Sequence, residues 1–371
     1  MQKLKLELDN LINEQITNNM HYGLQLSVYK NGKEILNHSY GKIGPNSDKN
    51  VNNKTLFLGF SITKGICNIL IHCLVEDNYL EYDKPICYYW HNFKQKNKDK
   101  ITVRHLLCHK SGLHRMPDNI TDEMLASEDL MIKYLEHLEP VYEPGTKTMY
   151  CAFTYSWLIL GLIKHSTNIS FRELFNKYII KKFNIYDEAF IGLPNDPKII
   201  DRIADIEIFA PIPKLDSEEY KAFPPKIWSF LNKNPTWHYC LPAMNGYFTA
   251  HALAKIFSHL ANNDILSPET IKTIYDCQTE EKDDVIGVPV RKGMGVFLGP
   301  TKVFGKSRIS FGNYGMGGSV VFADPENNIS ISVLVNKLNY DYKNNPVAII
   351  CNLIRNHILD KYIPVDENLE Y

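Results

Sequence analysis

The sequence predicts an α/β (α+β) fold: an antiparallel sheet built from both chain termini, flanked by helices, with an all-helical insertion lobe between. Two observations carry this. Alternating apolar residues appear over 23–41 and return after Gly293, whereas from about Ile86 to Val290 the apolar residues recur mainly at helical spacing. Strands at both ends with helices between them close most simply as one sheet with an insertion. The expected limits are an α/β lobe of residues 1–85 plus 291–371 and a helical lobe of 86–290, forming one unit over 1–371.

Each element has a local reason. Leu4, Leu8, Leu11, Ile12 and Ile16 share one face of an amino-terminal helix. Gly23 to Gly41 reads as two strands about an Asn31-Gly32 turn, a pair that favours the two-residue hairpin. Thr55 to Leu58 leads into a helix from Ile62 that fades at Glu76-Asp77-Asn78. Helices follow over Val103 to Cys108, Glu123 to Leu138, Tyr155 to His165, Phe171 to Phe183 and Ala250 to Ala261. Strands then resume over Gly295 to Leu298, Arg308 to Phe311, Ser319 to Phe322 and Ile329 to Val335, and a helix of about Pro346 to Leu359 closes the chain.

The chemistry gathers at Gly59-Phe60-Ser61-Ile62-Thr63-Lys64. Ser-x-x-Lys occurs three times, at Ser27, Ser39 and Ser61, and only the third opens a helix. There residues i and i+3 share a face, so Lys64 can draw the proton from the Ser61 hydroxyl. On a strand the two would point to opposite sides. The alternative for Ser61 is an ordinary helix-capping serine. Tyr150, after the turn Pro144-Gly145-Thr146, is a candidate proton relay, with plain aromatic packing as its alternative. Phe311-Gly312-Asn313-Tyr314-Gly315-Met316-Gly317-Gly318-Ser319 lacks the Gly-Lys-Ser/Thr of a phosphate loop, which leaves a bulge or a substrate-binding edge strand. His105, Cys108 and His109 have ligand-like spacing, but they read as a helix end stopped by Gly112, and no metal or cofactor is expected.

With 371 residues, 44% hydrophobic and 22% charged, the chain has the composition of a soluble globular protein. A net charge of −1 leaves no basic footprint, so no nucleic-acid partner is expected. The amino terminus carries charges throughout and no signal-peptide core, and the apolar run Trp157 to Ile163 is too short to span a bilayer. Eight cysteines without paired spacing suit reduced thiols and a cytoplasmic location.

In this order the motifs resemble the serine β-lactamase and penicillin-binding-protein-like superfamily, in its class C β-lactamase, DD-peptidase and esterase branch. Ser61-Ile62-Thr63-Lys64 matches the nucleophile motif, and Ile101 to Leu113 is similar to a long structural signature. Pro144-Gly145-Thr146 with Tyr150, and Phe311 to Ser319 with Ala323-Asp324-Pro325, are similar to the second and third elements. The resemblance, from about Gly23 to Lys337, implies a β-lactamase/transpeptidase-like fold with the site between the lobes. It implies an acyl-enzyme on Ser61, proton shuttling by Lys64 and Tyr150, and an oxyanion hole from the Ser61 and Met316 backbone. Two departures stand out: Tyr150-Cys151-Ala152 where the family has Tyr-x-Asn, and Asn313 where it has lysine or histidine.

With no second cation expected near it, Tyr150 should stay a neutral phenol and Lys64 should serve as first base. Both departures favour an ester over a β-lactam or peptide. Phe60, Trp237, Tyr239, Asn313, Tyr314 and Gly315 are candidate substrate contacts. The expected function is therefore a carboxylesterase or transacylase acting on a small-molecule ester or amide. The alternative is a weak or inactive scaffold of the same family, with a true β-lactamase or D-amino-acid peptidase behind both.

Overall fold

The computed structural model describes residues 1–209, 211–232, 236–341 and 344–359. The carboxy-terminal end of the expected α/β lobe, 360–371, lies outside these described residues. Its strands are β1 (Gly23–Lys30), β2 (Lys33–Gly41), β3 (Phe57–Leu58), β4 (Ala189–Ile191), β5 (Gly246–Phe248) and β6 (Thr279–Lys282). They continue as β7 (Pro289–Lys292), β8 (Phe297–Leu298), β9 (Phe311–Tyr314), β10 (Val320–Asp324) and β11 (Ile329–Val335).

Eight strands form one antiparallel sheet in the order β2-β1-β11-β10-β9-β8-β7-β6, so the two ends of the chain meet where Leu26 pairs with Val333. Asn31 and Gly32 both have positive φ, 51° and 73°, which matches the right-handed twist of the hairpin they join. Side chains alternate across the sheet. Leu24, Leu26, Val28, Ile331 and Val333 pack with Leu4, Leu8 and Ile12 of the first helix, Gln2–Thr17, and with Ile350 and Ile354 of the last, Pro346–Ile358. Each such buried side chain stabilises the fold by about 1.5–3 kcal/mol. On the other face Gln25 accepts from Ala250 N at 2.9 Å, and Ser330 donates to Ala254 O at 2.6 Å, docking the helix Ala250–Asn262. The helix Ile62–Glu76, buried almost throughout, lies against β9 on this side.

Three local expectations shift. The predicted strand Arg308 to Phe311 begins instead at Phe311, because Ser310 N and Oγ turn back to Ser307 O at 3.4 and 2.8 Å. The helix expected over Glu123 to Leu138 is two, Asp122–Ala126 and Glu128–His137, because Ser127 leaves helical geometry and caps the second by accepting from Leu130 N. The central stretch also carries strands: β6 and β7 extend the main sheet, while β4 and β5 join β3 in a small sheet of their own. No described helix is long and apolar enough to cross a membrane, and the eight cysteines are unbridged.

Candidate active site

β3 is paired to β5 and ends in a strained turn. Phe60 adopts φ 44°, a conformation that costs a non-glycine residue about 1–3 kcal/mol and that the surroundings must hold. They do so through Gly59 N donating to Gly246 O at 2.8 Å and Thr63 N donating to Phe60 O at 3.0 Å. Ser61 therefore stands at the amino terminus of the Ile62–Glu76 helix with its hydroxyl uncommitted to capping, which removes the capping-serine alternative. The hydroxyl lies 3.4 Å from Lys64 Nζ and within hydrogen-bond reach of the Tyr150 phenol.

Lys64 is fully buried, and burial pulls its amine down from 10.5 to about 7. Its nitrogen donates to Ala152 O at 2.8 Å and to Ala243 O at 2.9 Å. A neutral amine has two N–H groups and one lone pair. In that form the two carbonyls would take both N–H groups, with the remaining side of the nitrogen toward Ser61 Oγ. Position 152 thus holds the lysine through its main-chain carbonyl.

Burial pushes the Tyr150 phenol well up, so it is neutral. The expectation that no second cation stands near it does not hold. Lys292 of β7, fully buried, has its amine 5.9 Å from the Tyr150 ring centroid. It donates to Asp283 at 2.5 Å and to Thr148 Oγ1 at 2.7 Å; burial lowers this amine, countered by Asp283. Asp283 in turn accepts from the main-chain N–H groups of Tyr150, Val285 and Ile286, tying the tyrosine to the sheet edge. His109 packs 4.6 Å from the Tyr150 ring; burial holds its imidazole well below its usual range, and Nδ1 accepts from Cys151 N. His105 Nδ1 accepts from Thr102 N, and Cys108 lies against Met294, so the ligand-like trio serves packing and capping.

Removing one partner of a buried ion pair leaves an uncompensated charge. Asp283→Ala is expected to destabilise the protein by about 3–5 kcal/mol, measured by urea denaturation, with Asp283→Ala/Lys292→Met recovering much of the loss. Equal stability of the single and double variants would contradict this.

In front of Ser61 opens a cleft of about 710 Å³. Phe60, Tyr314, Gly315 and Met316 line it, as do Ala152, Phe153, Phe223 and Trp228. Gly315 is required by close approach, since a Cβ there would sit 2.6 Å from Gly59 O. Asn313 is elsewhere: it is buried, faces Gly65 and lines a separate cavity of about 10 Å³ behind Tyr150 and Lys64. Neighbouring strand residues point to opposite faces, a signal in the sequence that Asn313 and Tyr314 would not share one wall. Trp237 and Tyr239 are also outside the lining. Trp237 O accepts from Leu193 N at 2.7 Å, and Tyr239 stacks on Phe230. The cleft's tryptophan is Trp228, on the helix Pro225–Leu231. Nothing local in the sequence marks Trp228, Asp283 or Lys292 as part of the site.

The family model described as Beta-lactamase matches residues 8–350. The esterase/beta-lactamase LipL of Mycobacterium tuberculosis is 27% identical over 300 residues, which cover 75% of this chain and 68% of that protein. A beta-lactamase of Escherichia coli is 22% identical over 172 residues, 46% of this chain and 44% of its own. Among solved structures, a penicillin-binding protein homologue from Caulobacter crescentus superposes with a TM-score of 0.86 at 24% identity, covering 94% of this chain and 95% of the other. A family VIII carboxylesterase gives 0.85 at 22%, covering 94% and 96%, so both share the fold. The architecture, the Ser61–Lys64–Tyr150 arrangement and a match across nearly the whole length agree: this chain belongs to the beta-lactamase family and is a serine hydrolase of that family.

Proposed function

We propose that the protein is a carboxylesterase acting through an acyl-enzyme on Ser61, with the two lobes as one catalytic unit around the cleft. The observation that carries this reading is the placement of Lys64: buried, held by the carbonyls of Ala152 and Ala243, and 3.4 Å from Ser61 Oγ at the foot of the cleft.

As Oγ attacks the ester carbonyl, its proton passes to Lys64 Nζ. The oxyanion is met by the N–H groups of Ser61 and Met316, which take no backbone partner among the described residues. The positive end of the Ile62–Glu76 helix adds to that stabilisation. When the tetrahedral adduct collapses, the departing alkoxide takes the Tyr150 phenolic proton, and the Lys64 ammonium restores it. Water then gives a proton to the same pair as it attacks the acyl-enzyme, releasing the acid and Ser61. An ester suits this machinery because its alkoxide needs less help in leaving than an amide nitrogen. The apolar Ala152 and the inward-facing Asn313 offer little to the polar groups of a β-lactam or peptide.

The sign of the pH dependence follows from the base. Below about 7 the amine is an ammonium with no lone pair; above it the lone pair is free. kcat/KM for p-nitrophenyl butyrate is expected to rise with pH through an apparent pKa of about 7 and then level off. A rising limb that begins only above pH 9 would contradict a neutral Lys64. Turnover of that ester beside nitrocefin tests the substrate class: faster β-lactam than ester hydrolysis would overturn the carboxylesterase reading.

A further inference from the structure

The geometry points to a substrate with an extended hydrocarbon chain, an ester of more than about four carbons on its apolar part, rather than the short ester that Ser61 chemistry alone requires. This inference rests on the carboxylesterase reading for the reaction, but not for the binding.

Three observations support it. First, one wall of the cleft is a preformed aromatic cluster. Phe153 packs edge-on against Phe223 and against Trp228, each at 5.5 Å, and Phe223 stacks on Trp228 at 6.1 Å. These rings contact one another before any ligand arrives, so a chain lying on them meets an ordered apolar surface. Second, that wall is pinned. Glu218, on the short helix bearing Phe223 at its end, accepts from Arg115 Nε at 2.8 Å and is 2.7 Å from His114 Nε2. Met116 N also donates to Lys221 O at 3.0 Å. Third, exposed apolar residues flank the part of the chain that lines the cleft. Pro211 and Pro213 line it, and beside them Phe209, Ile212 and Leu215 stand 49%, 72% and 67% exposed. Exposed apolar side chains flanking Pro211 and Pro213 of a mostly apolar cleft fit a ligand that continues past the pocket. A short acyl ester would leave most of the 710 Å³ unfilled.

Each methylene moved from water onto such a surface is worth about 0.8 kcal/mol, close to a 4-fold gain. kcat/KM should therefore rise by about 4-fold per carbon through the p-nitrophenyl esters from acetate to octanoate. Trp228→Ser should flatten the series, and Ile212→Lys/Leu215→Lys should lower octanoate relative to acetate. Binding is read separately by titrating the Ser61→Ala protein with n-alkanols from butanol to decanol, where the same increment per carbon is expected in Kd. Rising affinity without ester turnover would uphold the chain-binding inference and sink the esterase reading. Ester turnover that is flat or falling beyond butyrate, with alkanol affinities equally flat, would overturn the inference and leave the esterase reading standing.

Discussion

Ser61→Ala is expected to lower kcat for p-nitrophenyl esters by about 10⁶-fold while leaving the fold and the cleft intact. The size of the loss follows from what the hydroxyl does. It is not a helix cap, so its removal deletes no capping hydrogen bond. In the proposed mechanism it forms the bond to the acyl carbon, and it lies 3.4 Å from the Lys64 amine that takes its proton. Binding of an unreacted ester should survive, because most of the cleft lining is contributed by other residues. A stability within about 0.5 kcal/mol of the wild type is expected alongside the lost turnover. A variant that loses activity through unfolding would show a collapsed urea midpoint instead.

Lys64→Met is expected to cost about 10²–10⁴-fold in kcat, the usual contribution of a positioned general base. Methionine fills similar space and carries no charge, so the substitution separates chemistry from packing. It leaves the carbonyls of Ala152 and Ala243 without their donor, and a stability loss of about 1–3 kcal/mol should accompany the rate loss. The decisive readout is the pH profile: the limb with an apparent pKa of about 7 should disappear in the variant. A limb that persists unchanged would assign the titration to another group and remove Lys64 from the role of first base.

The features legible from sequence are those whose information is local. Ser61 and Lys64 lie one turn apart on a single helix, and the Asn31-Gly32 turn needs only its own two residues. The turn before Tyr150 marks it, and the return of strand periodicity after Gly293 marks the carboxy-terminal half of the sheet. What was not legible depends on contacts between distant segments. Asp283, Lys292 and Thr148 form one buried cluster, yet their positions span 145 residues, and a lone lysine on a short strand carries no mark of burial. Trp228 and Trp237 stand nine residues apart in a long connecting stretch, and only the packing of Phe153 and Phe223 shows which of them faces the cleft. Position 152 shows the same limit, since a main-chain contact cannot be read from a side chain. The asparagine amide is gone, but the main-chain carbonyl there holds the lysine at 2.8 Å, so the loss bears on substrate recognition more than on the base.

The central claim, that Ser61 is the nucleophile of an active hydrolase, is tested most directly by intact-protein mass after incubation with a fluorophosphonate serine probe. A single adduct on the wild type, absent from Ser61→Ala and formed more slowly in Lys64→Met, is the predicted result. No adduct on folded wild type, or an adduct that persists undiminished in Ser61→Ala, would contradict it.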